Sequence, residues 1–460
     1  MSALFAYAQN ARGELGLSGV LSVVSILLGL VPFFCMYRVI CLFAAGTAAK
    51  AAVISWCAWS LAAYAGKVLC FTLSTGISHH AAYNILEGLR LRLVERFLHA
   101  PLGEVQKHSI GEIKSILVDK IENIEPPLAH MIPEGAGHIV LPVVSFIALF
   151  AIDWRLALAA LAVMLSMSMV GSLAKLEVFS ENMRQVKATV ESLEAFLEMP
   201  ALPEPAQPAA LQGTGVELKN VHFSYSADGP EVLHGIDLAL PQGSFTALVG
   251  PSGGGKSTVA KLLARFWDVT QGSITIGGVD VRQMPLAQLS GLVSFVTQDN
   301  YLFRCSLLEN IRLGNPAATD EQVKAVARAA QCEELIAKLP QGYDTPAGEA
   351  GKRLSGGEKQ RISIARAMLK DAPIVILDEA TANVDPENED RLQKAIEALT
   401  RDKTIIMIAH RLKTVRHADQ ILVVDHGRIV QQGTHEQLIG QPGIYAAFVG
   451  GRQQAEGWKL

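Results

Sequence analysis

The chain has 460 residues, half of them hydrophobic and only 18% charged, with a formal net charge of −4. That apolar share exceeds what one soluble domain carries, and the slightly acidic balance gives no reason to expect nucleic acid as a partner. The six cysteines contain no Cys-x-x-Cys pair. Cys35, Cys41, Cys57 and Cys70 lie in or beside apolar runs and read as small buried hydrophobes, not as a disulfide framework or metal site.

Four segments are long and apolar enough to cross a bilayer, which takes roughly 20 helical residues. They run from Leu15 to Leu42 (interrupted by Pro32 and Arg38), Ala51 to Ile77, Gly135 to Ile152 and Trp154 to Leu173. The start of the chain lacks a basic region and a small-residue cleavage site, so the first run reads as a retained anchor. Ala44–Lys50 and Asp153–Arg155 are short links, and each pair of spans reads as a helical hairpin. Between the pairs, Ser78 to Glu134 is polar and carries Arg90, Arg92, Arg96, Lys107, Lys114 and Lys120. The positive-inside rule puts this stretch and both chain ends in the cytoplasm. The expectation is a multi-pass protein of the cytoplasmic (inner) membrane, with the lipid bilayer as its first partner. Residues 1–199 form the membrane domain, with the cytoplasmic loop at 78–134.

Pro200 to Pro208 carries four prolines and cannot continue a helix, so 200–214 is read as a linker. From 215 to 460 the pattern becomes short β-rich runs punctuated by glycine. Val216–Phe223, Ser244–Val249 and Gly272–Ile276 read as strands, and Ser257–Phe266, Asp320–Ala330 and Glu358–Leu369 as helices. The alternation predicts an α/β domain with a largely parallel sheet. The fold class is thus an N-terminal all-α transmembrane domain followed by a C-terminal α/β P-loop NTPase domain.

Gly250, Pro251, Ser252, Gly253, Gly254, Gly255, Lys256, Ser257 and Thr258 follow an apolar strand and open a helix, the context a phosphate-binding loop requires. Glycines let backbone N–H groups converge on phosphate oxygens, and the helix N-terminus adds its dipole. Lys256 is expected at the β- and γ-phosphates of ATP and the Ser257 hydroxyl on Mg²⁺. The strand Ile374–Leu377 ends in Asp378, a second expected Mg²⁺ ligand, and Glu379, whose side chain alternation turns the other way.

Between these motifs lies Leu354-Ser355-Gly356-Gly357-Glu358-Lys359-Gln360. Ser355 offers a hydroxyl, and Gly356 and Gly357 expose N–H groups ahead of a helix beginning near Glu358, which makes a second anion-binding helix end. This run resembles the signature of ATP-binding cassette (ABC) proteins. With the loop and the carboxylate strand, the chain resembles an exporter-type ABC half-transporter.

The resemblance implies further roles. Glu379 would polarise the attacking water, Gln298 would sense Mg²⁺ and water, and His410 would contact the γ-phosphate. Asp385 would communicate across a dimer, and Tyr225 would stack on adenine. Leu354, Ser355, Gly356, Gly357 and Glu358 would close over the ATP held by a second half-transporter chain. Glu358 stands where glutamine is frequent. Ala100–Asp119 resembles the family's first intracellular loop, which carries motion to the membrane domain. A second such loop and a fifth helix have no counterpart before Ala174–Met199, so the membrane domain reads as internally shortened. Two functions follow: an ATP-driven half-transporter moving a small or amphipathic substrate, or a membrane-anchored regulatory ABC ATPase that moves nothing by itself. Gly29-Leu30-Val31-Pro32 leans toward the subgroup with siderophore importers.

Overall fold

The computed structural model describes residues 11–155, 157–159, 161, 181, 184–185, 187–226, 228–298, 300–348, 354–378, 386–409 and 415–457. The chain forms two compact units, Met1–Ala100 with Glu104–Ala201, and Pro101–Gly103 with Leu202–Leu460.

The first unit is helical. Helices α1 (Arg12–Ala44) and α2 (Lys50–His99) form a hairpin, and both are long and apolar enough to cross a membrane. Between lipid-compatible helices, a hydroxyl must find its partner within the protein. Ser18 Oγ donates to the Ser74 carbonyl (2.9 Å), and Ser74 Oγ donates back to the Ser18 carbonyl (2.7 Å). Ser25 Oγ donates to the Lys67 carbonyl (3.0 Å). Helix α2 does not stop where its hydropathy falls. Its 50 residues make a rod about 75 Å long, over twice the thickness of a bilayer's hydrocarbon core. Residues 78–99, read from sequence as loop, are therefore helix. Ala81, Ala82, Ile85, Leu86, Leu89 and Leu93 recur at helical spacing and are buried against Ile116, Ile121, Ile124 and Leu193.

Short helices α3 (Leu102–Gln106) and α4 (Ile110–Lys114) follow, the latter capped by Ser109, whose hydroxyl accepts from the Glu112 N–H (3.1 Å). Then α5 (Glu125–Ile152) packs on α1 and α2 and contains the third expected span. Most of the fourth expected span, and most of Ala174–Met199 before residue 187, lie outside the described residues.

The second unit holds two sheets. Strands β1 (Val216–Ser224), β2 (Glu231–Leu240), β4 (Gln271–Ile276) and β5 (Val279–Asp280) form an antiparallel sheet in the order β2-β1-β4-β5. The other sheet has the order β10-β9-β3-β8-β7-β6, from β3 (Phe245–Val249), β6 (Val293–Val296), β7 (Ile374–Asp378), β8 (Thr404–Ile408), β9 (Gln420–Asp425) and β10 (Arg428–Gly433). It is parallel except for β10. β3 and β8 are buried along almost their full length, as parallel strands covered on both faces must be. The helices are α6 (Lys256–Leu263), α7 (Leu286–Leu292), α8 (Leu307–Arg312), α9 (Asp320–Ala329), α10 (Glu333–Ala337), α11 (Gly356–Lys370), α12 (Pro386–Thr400), α13 (His435–Ile439) and α14 (Ile444–Gly457).

The proline-rich stretch is pinned within this unit. The fully buried Arg265 donates to the Pro203 carbonyl (2.8 Å), Glu204 accepts from the Leu286 N–H (2.9 Å), and the Gln288 amide clasps both backbone groups of Ala209 (2.8 and 2.7 Å). Gly103, which belongs to this unit, donates its N–H to the Phe266 carbonyl (3.1 Å).

Candidate nucleotide-binding site

Strand β3 sits centrally, flanked by β9 and β8, and its C-terminal end opens into Gly250–Gly255. Carboxyl ends of parallel strands are where α/β sheets bind ligands. Two glycines are compelled. Gly250 has φ +137°, and a Cβ there would run into the Val424 carbonyl. Gly255, with φ +106°, is the N-cap of α6, and its Cβ would lie 2.8 Å from Leu233 Cδ2. No side chain caps α6, so its first N–H groups stay open to an anion. Lys256 is buried and donates from Nζ to the Gly250 and Pro251 carbonyls (3.0 and 2.7 Å), which draws its charge over the loop.

A groove of about 330 Å³ lies beside the loop, lined by Tyr225, Val232, Ser252, Lys256, Ser257 and Thr258 among others. The structure thus brings Tyr225 to the phosphate loop. Its hydroxyl is 2.8 Å from Thr258 Oγ1, and its ring stands edge-on to Trp267, with centroids 5.0 Å apart. Trp267 was not singled out by sequence reasoning. Its only signal is a bulky aromatic after Phe266, just beyond α6.

Asp378 ends β7, two strands from β3 in the sheet order. Gln298 follows β6, which pairs with β7 up to Val296–Leu377, so both residues leave the same edge of the sheet. Gln298 is exposed, and its carbonyl accepts from Asn300 Nδ2 (3.1 Å). Glu379, Asp385 and His410 lie outside the described residues.

Helix α11 begins at Gly356, two residues before the expected start, with Ser355 as N-cap. Ser355 Oγ accepts from the Glu358 N–H (3.4 Å), and the Glu358 carboxylate accepts from the Ser355 N–H (2.8 Å). This reciprocal capping box fixes the helix end, and Leu354 is buried just before it. Among the described residues lining the groove at the loop, none comes from 354–358.

A second connection was missed by sequence reasoning. Arg366 of α11 donates to the carbonyls of Asn310 (2.6 Å) and Tyr301 (2.7 Å) and to Asn310 Oδ1 (2.5 Å). The fully buried Asn310 in turn bonds both backbone groups of Phe303 (2.8 and 3.0 Å). The signature helix is thereby tied to the segment just after Gln298. Burial pulls the Arg366 guanidinium below its ordinary pKa, yet its carbonyl partners still favour the charged form. Burial likewise pushes the Cys332 thiol up to about 12, which makes it inert.

Two family models match the chain: ABC transporter transmembrane region over residues 15–196, and ABC transporter over residues 233–382. A mycobactin import ATP-binding/permease protein of Mycolicibacterium smegmatis is 49% identical over 262 residues, 57% of this chain and 30% of that one. A Staphylococcus aureus ATP-binding/permease protein assigned by name to multidrug export is 46% identical over 240 residues, 52% of this chain and 42% of that one. The matches thus take in less than half the length of these relatives. In fold, the chain is similar to a bacterial Atm1-family ABC exporter solved with ATP bound, with TM-score 0.72 and 24% identity, covering 96% of this chain and 98% of that one.

Proposed function

Because the chain belongs to the ABC transporter family, joining that family's transmembrane region to its ATPase domain, we propose that it is a half-transporter that hydrolyses ATP as a dimer to move a substrate across the cytoplasmic membrane. The observation that carries this reading is an uncapped helix end with Lys256 folded over its glycine loop, on the same chain as a membrane-length hairpin. The loop N–H groups and Lys256 would hold the ATP phosphates, and the Tyr225 ring would take the adenine.

Ser257, Asp378 and Gln298 supply oxygen donors of the kind Mg²⁺ prefers, and they leave the same region of the sheet. When bound there, Mg²⁺ would neutralise charge on the β- and γ-phosphates. Glu379 would orient the attacking water and accept its proton, with His410 at the γ-phosphate. Residues 354–358 would act on the ATP of a second chain, and Asp385 would communicate between the two. The helices at 102–114 would carry the closing motion to the membrane domain.

The two relatives' names carry import in one case and export in the other, so the proposal covers movement of a small or amphipathic cargo, siderophores included, without direction. The test is Glu379→Gln in reconstituted full-length chain. ATP turnover is expected to vanish while ATP stays bound in a closed dimer; turnover near wild type removes Glu379 from this role. Substrate-stimulated turnover in proteoliposomes of this chain alone separates transport from a purely regulatory ATPase.

A further inference from the structure

Three aromatic rings meet beside the phosphate loop, and one of them also touches a part of the chain far away in sequence. The ring centroids of Phe223 and Tyr225 are 4.9 Å apart, those of Tyr225 and Trp267 5.0 Å, and those of Phe223 and Trp267 5.9 Å. Both pairs that include Tyr225 are edge-to-face, at 82° and 83°, an arrangement that ring quadrupoles favour. With its hydroxyl 2.8 Å from Thr258 Oγ1, the Tyr225 ring is held from three directions. Phe223 is buried within β1 and fixed by the sheet. Trp267 is half-buried in the segment beyond α6, so its place depends on what packs against it.

That neighbour is Gly103, which belongs to the same compact unit. A Cβ on Gly103 would overlap Cε2, Cζ2 and Cη2 of Trp267, so the glycine backbone lies directly on the six-membered ring of the indole. Gly103 is buried and tethered there, its N–H donating to the Phe266 carbonyl (3.1 Å). The backbone that carries the indole is also held. Arg265 has φ +53°, a left-handed conformation that a residue with a Cβ keeps only when its surroundings impose it. Its buried guanidinium donates to the Asp268 carboxylate (2.8 and 3.3 Å) and to the Met284 carbonyl (3.4 Å). Trp267 thus lies between two braced residues, Arg265 and Asp268, with Gly103 on one side of its indole and Tyr225 beside it.

We infer that Trp267 is a positioning residue for the nucleotide base: it sets the Tyr225 ring, and Gly103 sets Trp267. Recognition of adenine then depends on how residues 101–103 are seated, whereas the hold on the phosphates does not. By linkage the dependence runs both ways, and a bound base steadies that seat. This role rests on the reading of Tyr225 as the adenine platform. A methyl group added at Gly103 would push the indole, whose backbone cannot follow, and spoil its contact with Tyr225. Phenylalanine at 267 would keep an aromatic partner for Tyr225 while lacking Cζ2 and Cη2, which leaves room for that methyl group.

The test uses the full-length chain in phosphatidylcholine nanodiscs, titrated calorimetrically with ATP and with inorganic tripolyphosphate, which offers phosphates and no base. Gly103→Ala is expected to weaken ATP binding about five-fold, the scale of one edge-to-face aromatic contact, and to leave tripolyphosphate binding unchanged. Adding Trp267→Phe to Gly103→Ala should restore most of the lost ATP affinity. Should Gly103→Ala fail to fold, Trp267→Ala alone gives the answer. It should weaken ATP about five-fold without affecting tripolyphosphate, and add no further loss to Tyr225→Ala, because it acts through that ring. Equal weakening of both ligands, or an ATP affinity untouched by Gly103→Ala and Trp267→Ala, overturns the role of Trp267 alone. A wild-type chain that binds ATP no more tightly than tripolyphosphate removes the adenine reading of Tyr225 as well.

Discussion

Two helix ends in the ATPase unit offer N–H groups to an anion, and they are finished in opposite ways. At α6 the N-cap is Gly255, no side chain closes the end, and Lys256 brings a positive charge. At α11 the N-cap is Ser355, and the Glu358 carboxylate already sits on the Ser355 N–H. The open end would hold a phosphate by itself in this reading. The capped end is stable without one and carries a negative charge, so it suits a phosphate delivered and neutralised elsewhere. This difference accords with one end holding ATP and the other closing over the ATP of a second chain.

The largest effect expected is at the open end. Lys256→Ala removes a charged donor to the phosphates, an interaction worth about 1.5–3 kcal/mol, or roughly ten- to hundred-fold in ATP affinity. Equilibrium binding of a fluorescent ATP analogue checks this; unchanged affinity would break the contrast. Ser355→Ala at the capped end is expected to cost about 1 kcal/mol of stability, seen as a lower Tm. ATP binding should be unaffected under conditions where the chain is monomeric, although turnover falls. A drop in monomer affinity would place the signature at its own loop.

Glu358→Gln is the smallest change, because glutamine can keep the capping box. Losing the charge at a helix N-terminus costs about 0.3–1 kcal/mol, so Tm should fall slightly. The KM for ATP should fall as well, since a like charge near the arriving phosphate is gone. A rise in KM would mean that the carboxylate itself assists binding.

The glycine loop, the signature and the carboxylate strand were legible because each is local: a strand, a turn and a helix start within a few residues. The capping box Ser355-x-x-Glu358 is equally local, but the sequence reading began the helix near Glu358 and did not recognise it. Trp267 against Tyr225 and Arg366 against Asn310 were not legible, since their partners stand some 40 to 60 residues away in sequence and meet only through the fold. Residues 78–99 misled because hydropathy falls there; the apolar stripe from Ala81 to Leu93 continues the helix regardless. The separation of an antiparallel β1-β2-β4-β5 sheet was also hidden, because alternation along a strand does not reveal the direction of its neighbour.

The central claim, that a loop and a signature from different chains make one site, is tested most directly by co-reconstituting Lys256→Ala chains with Ser355→Ala chains. A dimer of the two carries one site with an intact loop from one chain and an intact signature from the other. The mixture is therefore expected to show ATP turnover above that of either variant alone. No recovery, with mixed dimers demonstrated by crosslinking, would contradict the account.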